Sequence, residues 1–192
     1  MLRTFTYAKI IGPLLALLLT AAGCGGDELY SNDYRCDFRF NTAVHNNTLI
    51  QQVVNPLAPG YYVMIGQTTR GGVRQVTLRL GGGASETVPI TTAEELLYVP
   101  ILGAGGTIVV GHSYHYGLLA FDGQCPNCLQ ETGNARHPLA FGAAGWQMTC
   151  ARCGRAYDLN ERGVVVKGPK GRKMMEYVAR STGRLLLVHN KY

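Results

Sequence analysis

Two short cysteine segments carry most of the chemistry in this chain. Cys125-Pro126-Asn127-Cys128 is followed, after 21 residues, by Cys150-Ala151-Arg152-Cys153-Gly154. A Cys-x2-Cys segment reverses direction tightly, so both sulfurs can face one ion while main-chain N–H groups point at them. Gly154 supplies the positive φ that such a turn asks of the residue after the second sulfur. Four thiolates in a tetrahedron are soft ligands that suit zinc. The same four can hold a single iron, or two irons bridged by sulfide as a [2Fe–2S] cluster. Spacing alone does not choose among these, and two disulfides stay open should the chain meet an oxidising compartment. Close Cys-x2-Cys pairs nonetheless mark metal or redox chemistry more often than structural bridges. Cys125, Cys128, Cys150 and Cys153 are therefore the candidate metal ligands, with zinc favoured. A closed four-thiolate zinc site has no coordination position for water, so its role is structural rather than hydrolytic.

Other polar residues near the knuckles offer less. His112 and His115 face opposite sides of any strand that carries both, and so make a poor ligand pair. His137, in the insert between the knuckles, is expected to be solvated or locally hydrogen-bonded. Asp158 is placed to close a turn with Asn160 and Gly163 rather than to act as a base. Asp122 and Glu131 flank the knuckles, and Trp146, Met148, Tyr114 and Tyr116 are expected to pack beside them. No nucleophile–base pair, phosphate loop or nucleotide fingerprint is present. No catalytic residue is assigned, and no feature specifies a small-molecule substrate.

The elements that must position these cysteines are mostly strands. Tyr61–Ile65 is rich in aromatic and β-branched residues. Val76, Leu78 and Leu80 alternate with Gln75, Thr77 and Arg79, the pattern of a half-buried strand ended by Gly81-Gly82-Gly83. Further strands are expected at Thr107–Val110, Tyr116–Phe121, Ala156–Leu159, Val164–Val166, Met174–Ala179 and Arg184–Val188. Thr92 and Glu95 form a capping box for one short helical turn, which would turn Leu96 and Leu97 inward. Short strands with glycine-rich turns favour a compact all-β domain.

The N-terminal region has a different character. Arg3 and Lys9 precede an apolar run, Ile10–Leu19, and then Ala21-Ala22-Gly23-Cys24. That order is an export signal with a small-residue cleavage site, and the run is shorter than the ~20 apolar residues of a membrane span. The small residues before Cys24 resemble the lipobox of bacterial lipoproteins, with Ala21 where leucine is usual. By that resemblance residues 1–23 are removed and Cys24 carries the lipid. The protein would then be anchored to a membrane in the bacterial cell envelope, the outer membrane. Residues 24–35 would form a flexible tether, and Gly25-Gly26-Asp27-Glu28 weakly resembles a surface-display signal. Removing the leader leaves 16 basic and 12 acidic residues. The basic cluster Arg162, Lys167, Lys170, Arg172 and Lys173 is the chief local excess. It sits among Gly-Pro and Gly-Arg turns without a nucleic-acid-binding motif, so nucleic acid is not an expected partner. Cys36 is left as an odd cysteine, either a buried apolar residue or a free thiol.

The second knuckle also carries a family resemblance. Cys150-Ala151-Arg152-Cys153-Gly154-Arg155-Ala156-Tyr157-Asp158-Leu159, followed by Gly163, Val165, Gly168-Pro169, Tyr177 and Leu185–Val188, resembles the second cluster-binding loop and closing strands of a Rieske domain. The likeness covers roughly residues 107–190. It implies a Rieske-like small antiparallel β sandwich or barrel over residues 36–192, with a two-knuckle metal-binding subdomain whose loops lie within 122–160. It also implies, as the alternative function, a Rieske-type iron–sulfur electron carrier or oxidoreductase component. The ligand pattern departs from that family. A Rieske cluster takes one cysteine and one histidine from each loop, whereas Cys128 and Cys153 stand near the histidine positions here.

Overall fold

The computed structural model describes residues 30–191. The leader at 1–23, Cys24 and Gly25–Glu28 lie outside the described residues. Among the described residues, two antiparallel sheets and three short helices form the fold. The larger sheet contains β1 (Cys36–Asn41), β2 (Tyr62–Arg70), β3 (Val73–Leu80), β4 (Ser85–Pro89), β5 (Ile101–Leu102), β6 (Thr107–Ser113), β7 (Gly117–Asp122), β12 (Glu176–Ser181) and β13 (Leu185–His189). Its strand order is β4-β3-β2-β6-β7-β12-β13-β1-β5. The smaller sheet has β8 (Leu139–Phe141), β9 (Gln147–Cys150), β10 (Ala156–Asp158) and β11 (Val164–Lys167), ordered β11-β10-β9-β8. The helices are α1 (Leu49–Val53), α2 (Ala93–Leu97) and α3 (Pro126–Thr132).

Local sequence explains the tightest hairpin. Arg70 pairs with Val73, so Gly71 and Gly72 alone connect β2 to β3. Both have positive φ, 57° and 78°, as the turn that matches strand twist demands.

Alternation along the central strands splits the interior in two. Val63 and Ile65 of β2, Ile108 and Val110 of β6 and Ala120 of β7 face one core. Tyr62, Val109, Leu119 and Phe121, on the opposite face, enter a second core with the cysteines. These strands are covered on both faces, which is why they read as nearly unbroken apolar runs. Val88 and Leu102 come from β4 and β5 at opposite ends of the large sheet, yet share the first core. The sheet therefore curls around its own apolar face. Asn160 links the two sheets: its Oδ1 accepts from Tyr62 Oη at 3.0 Å, and its carbonyl accepts from Ser113 Oγ at 2.9 Å.

Three sequence expectations change. The capping turn forms at α2, where Thr92 Oγ1 accepts from the Glu95 N–H at 3.3 Å and donates to Glu95 Oε2 at 2.6 Å. However, Leu96 and Leu97 point outward, 53% and 89% exposed, because five residues cannot present an inward stripe and hold both caps. Tyr114 and Tyr116 are likewise 60% and 47% exposed and stand outside the cysteine core. Residues 30–35, the distal part of the expected tether, are bound to the domain. Ser31 N donates to the Glu176 carbonyl, and Asn190 Nδ2 donates to the carbonyls of Ser31 and Tyr34. Among the described residues, no helix is long and apolar enough to cross a membrane.

Candidate metal centre

The first knuckle opens a helix rather than capping a hairpin. Cys125 is the N-cap of α3, in extended conformation, and Pro126 follows at the first helical position. Proline is favoured there because its φ is already helical and its missing N–H would have no partner. Leu129 N donates to the Cys125 carbonyl at 2.9 Å, and Gly133, at φ 64°, ends the helix. Cys128 thus sits one turn into the helix beside Cys125. The second knuckle is the β9–β10 turn. Gly154 N donates to the Cys150 carbonyl and Cys150 N to the Arg155 carbonyl, each at 3.0 Å, with Gly154 at φ 69° as expected.

The two knuckles meet. One sulfur from each of Cys125, Cys128, Cys150 and Cys153 lies within 4.8 Å of all the others. The close contacts cross between knuckles: Cys125 to Cys153 and Cys128 to Cys150, both at 3.7 Å. None of the four forms a disulfide. Cys125 and Cys128 are fully buried, Cys150 is 3% exposed and Cys153 is half-buried.

Burial pushes the Cys128 thiol well above its ordinary range, with the neighbouring sulfurs adding to the shift. It also raises Cys150, although the Cys153 and Arg152 N–H groups pull the other way. At Cys153 burial again opposes ionisation, but hydrogen bonds from the Arg155 main chain and guanidinium, joined by those from the Cys150 and Cys128 thiols, outweigh it and bring the thiol down to about 6. Cys153 is thus the sulfur favoured as a thiolate, while Cys128 and Cys150 resist ionisation. A cation among the sulfurs relieves that resistance.

Comparison with protein-family models, curated proteins and solved structures returned no match.

A layer of hydrogen bonds surrounds the sulfurs. The Tyr157 hydroxyl, buried with its ring, lies 3.2 Å from Cys125 Sγ and accepts from Asn127 Nδ2 at 2.9 Å. Asn127 also exchanges two hydrogen bonds with the main chain of Arg172. Arg155 Nε and Nη2 donate to the carbonyls of Pro169 and Lys170 at 3.0 and 3.2 Å. Both knuckles therefore grip the segment between β11 and β12. Sequence patterning gives Asn127 no signal beyond adjacency to the cysteines. Arg155 and Tyr157 lie inside the quoted Rieske-like stretch without an assigned role.

The remaining candidates fall outside the cage. His137 is bound locally: its Nε2 lies 3.2 Å from Arg152 Nη1 and its carbonyl accepts from Cys125 N. Asp158 accepts from the N–H groups of Asn160 and Glu161, as a turn-closing residue does. Asp122 is buried and accepts from Ala104 N, Gln124 N and the Tyr177 hydroxyl, so it anchors the loop entering the first knuckle. Trp146 and Met148 belong to the cysteine core. Cys36 is a buried free thiol 3.8 Å from the Val188 carbonyl, far from the cage in the first core, and burial pushes it up to about 12.

Proposed function

We propose that this protein is an exported, lipid-anchored β domain in which Cys125, Cys128, Cys150 and Cys153 hold one zinc ion as a structural staple. The sulfur spacing carries this reading. A tetrahedral ion with bonds of about 2.3 Å sets its sulfurs about 3.8 Å apart. The 3.7 Å contacts and the 4.8 Å limit over all pairs agree with that spacing. With four thiolates the coordination shell is complete, so the ion has no open position for substrate. The lipid anchor on Cys24, removal of residues 1–23 and placement in the bacterial cell envelope rest on the N-terminal pattern. The Rieske-like scaffold rests on the motif around the second knuckle and on a separate small sheet that carries it.

A single iron in the same cage is the second reading, because it fits the same tetrahedron of thiolates. A [2Fe–2S] cluster with electron transfer fits less well. Sulfurs on different irons lie roughly 5.5 Å or more apart, since two metals separate them. In the Rieske pattern Cys125 and Cys150 share one iron while Cys128 and Cys153 share the other. The 3.7 Å contacts run across that division.

The test is elemental analysis of protein purified without added metal, with acid-labile sulfide and visible absorbance measured on the same sample. One zinc per chain, no sulfide and no colour are expected. Iron without sulfide supports the second reading. Iron with equimolar sulfide, or two interknuckle disulfides in the mass spectrum, overturns both.

A further inference from the structure

Charge is divided along this chain. Residues 123–175 contain eight Lys and Arg against three Asp and Glu, whereas residues 24–122 contain five against eight. The excess belongs to the metal-binding half. Part of it is internally engaged: Arg162 pairs with buried Glu176, and Arg155 is tied to the Pro169 and Lys170 carbonyls. Lys170, Arg172 and Lys173 are different. Lys170 and Arg172 are exposed, Lys173 is half-exposed, and the four ion pairs among the described residues use other side chains.

These three cations lie on a braced loop. Asn127 of the first knuckle fixes Arg172 through its main chain, and Arg155 of the second knuckle fixes Lys170 in the same way. Each brace uses backbone atoms of the loop and leaves the charged side chain free. Gly171, Arg172 and Lys173 of this loop line a groove together with Tyr30–Asp33. Asp33 and Glu176 are the acidic groups lining the groove; Glu176 pairs with Arg162 and also feels the charge of Lys173.

The position of Tyr30 selects the occupant. Six residue steps separate it from Cys24, so the two stand at most about 20 Å apart even when the chain between them is fully extended. Whatever surface receives the Cys24 lipid is within reach of the loop beside Tyr30. We propose that Lys170, Arg172 and Lys173 form a docking face for the anionic headgroups of the bilayer in which the protein is anchored. This inference rests on the lipid-anchor reading. The metal centre gains a purpose from it: the ion holds the two knuckles that aim the loop. A basic patch beside the lipid adds electrostatic attraction to anionic headgroups and orients the domain on the bilayer. Each basic residue at an anionic surface strengthens binding about five-fold, so three together contribute about 100-fold. Asp27 and Glu28 in the intervening segment oppose the effect, and the loop cations must outweigh them.

The test uses the mature chain from residue 24, metal-loaded and carrying Cys24→Ser so that no lipid contributes. It is sedimented with vesicles of phosphatidylcholine alone or mixed with phosphatidylglycerol. Binding to the mixed vesicles only, abolished by high salt and reduced about 100-fold in Lys170→Gln/Arg172→Gln/Lys173→Gln, is the expected result. Metal content and circular dichroism of the triple variant establish that it is folded. No binding to either vesicle, equal binding to both, or undiminished binding by the folded triple variant overturns the proposal and points to an acidic protein as the partner of this face. Mass measurement of the N-terminal peptide from envelope-purified protein separately tests the anchor. A peptide without acyl chains overturns the anchor reading and leaves the vesicle result to be judged by itself.

Discussion

Asn127 and Arg172 hold each other reciprocally. Asn127 Nδ2 donates to the Arg172 carbonyl and Asn127 Oδ1 accepts from the Arg172 N–H, both at 2.9 Å. Asn127 sits between two metal-site cysteines, so the loop before β12 is registered to the cage through one side chain. Asn127→Ala should retain one metal ion per chain, while hydrogen exchange at the Arg172 amide rises at least ten-fold. The lost bonds are partly solvated, and a stability cost of about 1–2 kcal/mol is expected from denaturant midpoints.

Cys150→Ser should release the ion and free both knuckles. Limited proteolysis would then cut within residues 125–153, which the metal-loaded protein resists. Identical digestion patterns before and after the substitution would mean that the sulfurs contribute no local stability.

Tyr157→Phe removes only the hydroxyl that lies against Cys125 Sγ and Asn127 Nδ2. Hydrogen bonds of this kind orient ligands and tune their basicity, and losing one costs about 10–100-fold in metal affinity. Competition against a chromophoric chelator should detect that loss while the metal-to-protein ratio at saturation stays unchanged. Unaltered affinity would show that the hydroxyl serves packing alone.

The turn after β3 and the β8–β9 loop approach backbone to backbone at Gly81 and Gly145. A Cβ at Gly81 would lie 2.0 Å from the Gly145 carbonyl oxygen. Main chain yields less readily than a side chain, so Gly81→Ala should destabilise the fold by about 1–3 kcal/mol. Urea denaturation provides the measure, and Gly82→Ala, which meets only Leu80 at 4.0 Å, is the matched control.

Glu176 gives a signed pH dependence. Burial raises its carboxyl above the ordinary range and outweighs the opposing pull of Arg162, 2.5 Å away. The unfolded chain therefore loses this proton first as pH rises. The carboxyl's contribution is complete below the unfolded value, about 4.3, and is lost as pH rises through the folded one. Glu176→Gln does not titrate. Its stability deficit relative to wild type should shrink as pH climbs from 4 toward neutrality in paired denaturant titrations. A deficit that grows with pH would mean that the Arg162 attraction dominates.

The sequence made the central strands and the cage legible for distinct reasons. β2, β3, β6 and β7 carry β-branched and aromatic residues in runs that few other structures accommodate. Four cysteines in paired spacing identify themselves, and the structure brings all four together. β8 and β9, three and four residues long, depend on pairing with neighbours far away in sequence and leave little local pattern. β1 does alternate, with Cys36, Phe38 and Phe40 buried, but its run follows the polar lead assigned to the tether. At the first knuckle the turn reading concealed the proline and Gly133 that start and stop α3. The strand expected at Met174–Ala179 begins instead at Glu176, because Met174 leaves the ladder to fill the cysteine core.

Cys36 is sealed by the pairing of β1 with β13, the first and last strands described. Until the distal part of the polypeptide has been synthesised and has docked, this sulfhydryl has no strand to cover it. For Cys36, thiol exchange is thus a hazard of the nascent chain rather than of the folded domain. The arrival of residues 185–189 sets the moment at which it ends.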